Sequence, residues 1–326
     1  MTLKGCPFEL LNPLYPEGAN VLYFSTTMAF SDIIGHERQT AYFSRVLEQG
    51  TAAHAYVLLG PQGVGKMTLA QRFVAALLEV EVKRLGVHPD VIFLDRPLDD
   101  KTGEKKRQIP LELVRMACER LALSAFGGRK IVIIDEADTM TPQAQNALLK
   151  TLEEPSGSAV ILLLAEDRSR LLRTIQSRSV PVTLSRIPTA QIEKGLITRG
   201  YTEKVAAEAA RRSVGRPGVA LSLADADILM EARKQGSLVE SFITAPRHER
   251  IKVISTLVKG DDAKSADGRQ DWLLELCGAL HARLHEDGAD HGRTVLGLSA
   301  LLDAREALRE NGNVALALER VALALP

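Results

Sequence analysis

The stretch GPQGVGKMT, residues 60–68, has the glycine spacing of a phosphate-binding loop. The general pattern is G-x-x-x-x-G-K-[ST], and Gly60, Gly65 and Lys66 satisfy it. In such a loop the glycines let backbone amides face phosphate oxygens, and the lysine neutralises the terminal phosphates. The alternative is a chance glycine-rich turn. An apolar run precedes the loop and a helical pattern follows it, which favours the phosphate loop.

The hydroxyl position of this pattern holds Met67 instead of serine or threonine. A hydroxyl there ligates Mg²⁺ through a hard oxygen, whereas a thioether is soft and accepts weakly. Thr68 is a poor substitute, because the next residue along a helix is turned by about 100°. We therefore expect ATP or ADP as the ligand, without a regular Mg²⁺ site. The candidate nucleotide-binding residues are Gly60, Gly63, Gly65, Lys66, Met67 and Thr68.

An acidic pair, Asp135 and Glu136, follows the apolar run in KIVIIDEAD. At the carboxyl end of a strand, one carboxylate can hold Mg²⁺ and the next can polarise an attacking water. A solvated turn is the alternative. The position of the pair, a strand and a helix after the phosphate loop, favours a catalytic role or the remnant of one.

Composition restricts the class of protein. Lysine plus arginine equals aspartate plus glutamate, 41 each in 326 residues, so no overall charge attracts nucleic acid or an anionic membrane. Cys6, Cys118 and Cys277 form no C-x-x-C pair, which argues against a disulfide framework and a cysteine zinc site. The lack of a disulfide framework predicts a reducing, cytoplasmic location. The sequence has no apolar run of about 20 residues, so we expect no membrane span.

Five continuous apolar runs alternate with helical patterns and predict a parallel α/β sheet covered on both faces. The runs are residues 56–59, 91–94, 131–134, 159–164 and 180–184. Before the fourth run, Thr141 and Pro142 are typical of a helix start, and Pro155 ends that helix. After about residue 186 only helical patterns follow.

The chain is therefore predicted to contain four parts. Residues 1–27 read as a loose extension, with a short docked strand at 21–24 as the alternative. Residues 28–185 form the phosphate-loop core and 186–236 a three-helix lid. Residues 237–326 form an all-helical domain.

The stretch from Phe30 to Leu184 resembles the AAA+ core of bacterial clamp loaders, most closely the delta-prime family of DNA polymerase III. The resemblance rests on FSDIIGHE (30–37), HAYVLLGPQGVGK (54–66), HPDV (88–91), KIVIIDEADTMTPQAQNALLKTLEEP (130–155) and LLRTIQSRS (171–179). NALLKTLEEP followed by TIQSR is more specific than the phosphate loop alone. The ending NVALALERVALAL resembles the last collar helix of this family.

The resemblance implies an open hetero-oligomeric ring with gamma/tau-type motor and delta subunits, which acts on a sliding clamp and primed DNA. In such rings, ATP sites lie at subunit junctions, and a Ser-Arg-Cys motif supplies an arginine finger to the neighbouring site. By resemblance, Arg178 is that finger, and Ser179 replaces the cysteine. The helical domain would then be an oligomerisation collar.

The chain departs from the motor subunits at further positions. Ala165 and Glu166 stand where motors carry a threonine pair, and Gly218 stands where they carry an arginine. Arg216 is two positions out of register. Together with Met67, these departures predict that the chain's own ATPase is weak or absent. The retained lysine and acidic pair leave nucleotide binding and slow turnover open.

Delta-prime family members often carry a four-cysteine zinc module before the acidic strand. This chain has LDDKTGEKKRQIP (98–110) in that region, so we expect no zinc and a structural role for His88. A solvated loop is the prediction for this segment. The alternative is a nucleic-acid contact through Lys101, Lys105, Lys106 and Arg107.

The predicted function is that of a delta-prime-like clamp-loader subunit. One alternative is an active gamma/tau-type motor, against which Met67 and Gly218 stand. Another is a stand-alone phosphate-loop enzyme such as a small-molecule kinase. The Ser-Arg motif argues against the kinase, because its arginine needs a neighbouring subunit.

Overall fold

The computed structural model describes residues 29–99, 103, 105–126, 128–155, 159–259, 273, 276–281, 283–284, 291–309 and 314–325. The predicted extension at residues 1–27 and the polar stretch after residue 259 lie outside these ranges.

The first half of the chain forms a five-stranded, entirely parallel sheet in the order β2-β3-β4-β1-β5. The strands are β1 (Ala55–Leu59), β2 (Val91–Leu94), β3 (Ile131–Ile134), β4 (Val160–Ala165) and β5 (Val180–Thr183). Each of the five apolar runs forms one strand, so the predicted fold class is confirmed.

Helices connect several of these strands and make up most of the described chain after β5. They are α1 (Glu37–Gln49), α2 (Lys66–Leu77), α3 (Leu111–Ala122), α4 (Pro142–Glu153), α5 (Arg173–Ser177), α6 (Thr189–Thr198), α7 (Glu203–Arg212), α8 (Pro217–Leu223), α9 (Ala226–Thr244), α10 (Arg247–Lys259), α11 (His291–Arg309) and α12 (Val314–Ala324). Thr141 caps α4 as predicted, because its Oγ1 accepts a hydrogen bond from the Ala144 amide at 3.2 Å. Residues 186–236, predicted as a three-helix lid, contain α6, α7, α8 and the first part of α9.

Both faces of the sheet are buried, which explains why the strand sequences are continuously apolar. On one face Ile134 packs in a cluster with Leu148 of α4, and on the other Ile133 packs in a cluster with Phe73 of α2. All four side chains are nearly or fully inaccessible to solvent. This packing fixes the strand ends from which the candidate site is built.

The chain divides into two compact units. The first holds the sheet up to Gly200 together with Gly215–Val219, and the second holds Tyr201–Val214 and the residues from Ala220 onward. The boundaries predicted for the core, lid and collar stay predictions. None of the helices that the structure describes combines the length and apolarity needed to cross a membrane.

In the second unit, one buried arginine ties helix ends together. The Arg250 guanidinium donates to the Ile243 carbonyl at 2.7 Å, to Leu325 at 3.2 Å and to Ala322 at 3.3 Å. These carbonyls lie in or just beyond the last turns of α9 and α12, where backbone acceptors lack partners within the helix. Arg250 therefore stabilises the helical unit by satisfying both ends.

Candidate functional site

The phosphate loop and the acidic pair come together at the carboxyl edge of the sheet, as the sequence predicts. The loop follows β1, and Asp135 follows β3, with β4 between these two strands. The Gly60 amide donates to the Ala165 carbonyl at the end of β4, at 3.1 Å. The Asp135 amide donates to the Leu94 carbonyl at the end of β2, at 2.8 Å. Ligands of open α/β sheets bind at this edge.

The loop needs its glycines for shape. Gly60 has φ 155°, and a Cβ there would lie 2.4 Å from the Leu184 carbonyl oxygen. Gly65 has φ 107°, and a Cβ there would meet no atom within 4 Å. Backbone packing therefore excludes a side chain at Gly60, whereas Gly65 faces open space and is favoured by its positive φ.

Lys66 begins α2 and turns back onto the loop. Its Nζ donates to the Gly60 carbonyl at 2.6 Å and to the Pro61 carbonyl at 3.1 Å. Burial lowers the pKa of Lys66, and the charges of nearby Glu166 and Asp135 oppose this shift. The ammonium group thus lies between the loop and the acidic strand ends.

Met67, at the position of the motif's hydroxyl residue, makes an apolar contact. Met67 is half-buried and packs against the core cluster that contains Phe73. Thr68, by contrast, is exposed on α2. The donor set at this point therefore lacks the hard oxygen that Mg²⁺ prefers. Among the residues that the structure describes, no group of three or more His, Cys, Asp or Glu side chains is arranged to hold a metal.

The two residues of the acidic pair, Asp135 and Glu136, have different charged surroundings. Burial, followed by the charge of Asp95, raises the pKa of Asp135 to about 6. Glu136 has φ 49° and forms an ion pair with Arg96. Lys105 in turn lies 2.5 Å from Asp95, from its Nζ to Oδ2. Arg96 therefore engages the carboxylate that would polarise a water.

Sequence reasoning missed Asp95 and Arg96. They directly follow β2, and only the pairing of β2 with β3 brings them beside the acidic pair, so spacing along the chain did not reveal them. The prediction of a solvated loop at residues 98–110 is partly correct. Lys105 is exposed, but its backbone forms an isolated antiparallel β-bridge with Leu98 and its side chain forms the ion pair with Asp95. Lys101 lies outside the described residues.

The start of α8 lies directly on the phosphate loop. The Gly218 amide donates to the Gly63 carbonyl at 2.8 Å, and a Cβ at Gly218 would lie 2.9 Å from the same oxygen. A Cβ at Gly63 would lie 2.6 Å from Val219 Cγ2. The backbones of Gly218 and Gly63 are thus in close contact, which leaves little room for a side chain at position 218.

Arg178 lies at the other edge of the sheet. It precedes the amino end of β5, which pairs in parallel with β1, whereas the phosphate loop follows the carboxyl end of β1. At roughly 3.3 Å per strand residue, the two edges are about 15 Å apart. The Arg178 guanidinium contacts Glu153 Oε1 through Nη2 at 2.8 Å and the Thr174 carbonyl through Nη1 at 3.1 Å. Its side chain is 35% exposed.

Buried polar groups hold the segment that leads to Arg178. The Gln145 side chain on α4 donates to the Arg170 carbonyl at 2.9 Å and accepts from the Leu172 amide at 2.8 Å. Gln176 on α5 donates to the Leu171 carbonyl at 2.8 Å. Sequence reasoning missed these glutamines, because their roles depend on which helices lie side by side.

A family model described as "DNA polymerase III, delta subunit" matches residues 35–188. The DNA polymerase III subunit delta' of Pseudomonas aeruginosa is 38% identical over 157 residues, which cover 44% of this chain and 46% of that protein. The corresponding Bacillus subtilis subunit is 31% identical over 173 residues, 49% of this chain and 50% of that protein. The DNA polymerase III subunit tau of Escherichia coli is 31% identical over 276 residues, 77% of this chain and 43% of that protein.

The chain spans about half the length of the curated relatives that it matches. A solved structure of a DNA polymerase III gamma subunit-related protein from Thermotoga maritima has a TM-score of 0.50 and 19% identity, and covers 88% of this chain and 98% of its own. That likeness supports the fold alone. Residues 35–188, just under half of the chain, are therefore similar to the DNA polymerase III delta' subunits.

Proposed function

We propose that this chain is a delta-prime-like subunit of a DNA polymerase III clamp loader. In this role it helps to load a sliding clamp on primed DNA and donates Arg178 to the ATP site of a neighbouring subunit. The observation that carries the proposal is the position of Arg178, partly exposed at the sheet edge opposite the chain's own phosphate loop. An arginine there is suited to a neighbour's nucleotide.

The donated guanidinium acts electrostatically. Negative charge spreads over the phosphate oxygens as the terminal phosphoryl group is transferred, and a fixed cation at the subunit junction stabilises it. Ser179 replaces the cysteine of the motif, and its Oγ donates to the Ile175 carbonyl at 2.9 Å. This hydrogen bond supports the turn at Arg178 without entering the chemistry.

The chain's own site binds nucleotide but turns it over weakly or not at all. The glycine loop and Lys66 would hold the phosphates of ATP or ADP. Met67 supplies no hard ligand for Mg²⁺, and Arg96 neutralises Glu136. Gly218 supplies no cation at the start of α8.

The partners of this proposal are gamma/tau-type motor and delta subunits in a hetero-oligomeric ring, with the clamp and primed DNA bound through the complex. The helical collar proposed at residues 237–326 would provide oligomerisation, beside the lid proposed at 186–236. The location proposed is the cytoplasm, where replication takes place in bacteria.

An active gamma/tau-type motor is the second candidate. The observation that favours it is the 31% identity to the Escherichia coli tau subunit across 77% of this chain. The retained Lys66, Asp135 and Glu136 agree with it as well. A stand-alone phosphate-loop enzyme has no such support.

Reconstitution tests the proposal. The purified chain is mixed with motor and delta subunits, assembly is followed by size-exclusion chromatography, and clamp loading is measured on primed DNA. We expect one stable complex whose loading activity requires this chain. A chain that stays monomeric, or a ring that loads clamps equally well without it, would overturn the proposal.

A further inference from the structure

We propose that Glu153 is a positioning residue for Arg178, and that it holds the guanidinium in the orientation in which it meets the neighbour's nucleotide. The proposal rests on the function proposed above. The carboxylate of Glu153 lies 2.8 Å from Nη2 of Arg178, at the last residue of α4. Arg178 itself follows α5, so the contact joins two helices.

Two acceptors on different elements fix the guanidinium. Glu153 binds Nη2, and the Thr174 carbonyl binds Nη1 at 3.1 Å. Because the guanidinium is planar, holding both terminal nitrogens sets its plane as well as its position. The fork has five N–H donors, so donors remain for phosphate oxygens after these two contacts.

The backbones that carry both acceptors are rigidly placed. Leu152, the residue before Glu153, is buried in the core, and Ile175, the residue after Thr174, is fully buried. Gln145 bonds the start of α5 to α4 through the Leu172 amide. The two backbones therefore keep their separation, which favours one position of the guanidinium between the carboxylate and the carbonyl.

The Glu153–Arg178 pair is suited to orientation more than to folding. The Glu153 side chain is 50% exposed and that of Arg178 35% exposed, and exposed ion pairs contribute little to stability. A free arginine side chain, however, samples many rotamers, and these must be lost when it engages a ligand. Glu153 removes much of that freedom beforehand.

Glu153→Ala tests this role in the assembled ring with clamp and primed DNA. Misplacement of a group that acts in the transition state lowers kcat, so we expect ring ATP turnover to fall about tenfold. The KM for ATP should stay within about twofold, because ground-state binding belongs to the neighbour's own site. Glu153→Gln keeps an acceptor for Nη2 and should recover part of the rate.

Glu154→Ala is the matched control. It removes the adjacent exposed carboxylate, whereas the contact to Arg178 comes from Glu153. Ring turnover with Glu154→Ala should equal that of the unchanged chain. Thermal unfolding of both isolated variants should also match it, since the pair is exposed. An equal fall in turnover for both alanine variants would show a general charge effect and overturn the positioning role.

Arg178→Ala separates this inference from the proposed function. If Arg178→Ala leaves ring turnover unchanged, the finger assignment fails and the inference fails with it. If Arg178→Ala abolishes turnover while Glu153→Ala keeps or increases it, only the positioning role is overturned; an increase would show that Glu153 restrains the finger. In the double variant, Glu153→Ala should cost nothing further, because the residue acts through Arg178.

Discussion

The carboxyl and amino edges of the sheet differ in the contacts of their charged side chains. At the carboxyl edge, beside the proposed phosphate loop, Glu136 pairs with Arg96 and the half-buried Met67 packs against the core. The amino edge holds Arg178 between two fixed acceptors, partly exposed. One edge carries the proposed phosphate loop beside an ion-paired glutamate, and the other carries the proposed finger, Arg178, with part of its side chain exposed.

The shape of the loop in this fold does not depend on the residues proposed for hydrolysis. The loop glycines serve backbone packing as well as phosphates, since a Cβ at Gly60 would strike the Leu184 carbonyl. The loop shape therefore persists whether or not the chain hydrolyses nucleotide. The arginine at the other edge depends on α4 and α5, whose packing does not involve Met67.

The largest effect is expected at the amino edge. Arg178→Ala should lower turnover at the neighbour's site on the order of 10³-fold, because the developing phosphate charge loses its cation. Arg178→Lys should recover only part, since a lysine cannot bind through a planar fork. Steady-state ATP hydrolysis by the ring measures both. Size-exclusion chromatography must show intact rings, and undiminished hydrolysis with Arg178→Ala would remove the contrast between the edges.

Asp135→Asn should stabilise the isolated chain at high pH. The folded-state pKa of Asp135, about 6, lies above the ordinary 3.8, so ionising the folded protein costs free energy that ionising the unfolded chain does not. The cost is absent below pH 4, grows as pH rises to 6 and is fully present above it. It amounts to at most about 3 kcal/mol.

Denaturant unfolding at pH 4 and pH 8 measures this effect. The asparagine variant should gain stability over the unchanged chain at pH 8 and little at pH 4. An equal gain at both values would mean that the charge of Asp135 is not the cause.

Gly218→Arg should not restore a motor site. Its Cβ would lie 2.9 Å from the Gly63 carbonyl oxygen, so we expect a loss of about 1–3 kcal/mol in folding stability. Gly218→Ala is the control that adds only the Cβ, and it should lose a similar amount. Thermal unfolding and ATP hydrolysis of the isolated chain test this. New turnover with Gly218→Arg would favour the gamma/tau-type motor over the delta-prime-like subunit.

The smallest effect is expected for Met67→Thr. A hydroxyl there supplies one hard ligand, so Mg²⁺ should strengthen ATP binding by a few-fold, about 1 kcal/mol. Turnover should stay absent, because Arg96 still engages Glu136. Calorimetric titration with ATP, with and without Mg²⁺, measures the change. An affinity that ignores Mg²⁺ in this variant would show that position 67 does not limit metal binding.

Strong local signals made most of the sheet predictable. The continuous apolar runs gave all five strands, and Thr141 with Pro142 gave the start of α4. The predicted lid ends at residue 236, whereas α9 continues through that position to Thr244. A single glycine inside a helix costs only about 1 kcal/mol, which packing can offset.

The site was less predictable than the fold, because its decisive contacts join distant residues. The ion pair of Arg96 with Glu136 requires β2 to lie beside β3, and the contact of Gly218 with Gly63 requires α8 to lie on the loop. Neither follows from spacing along the chain. The pattern at residue 67, by contrast, was visible in the sequence alone.

The measurement that tests the central claim most directly is Mg²⁺-dependent ATP hydrolysis by the purified chain alone, beside the ring assembled with it. We expect weak or no turnover by the chain alone and robust turnover by the ring that contains it. Robust turnover by the isolated chain would identify its carboxyl edge as a working ATP site and overturn the proposed role.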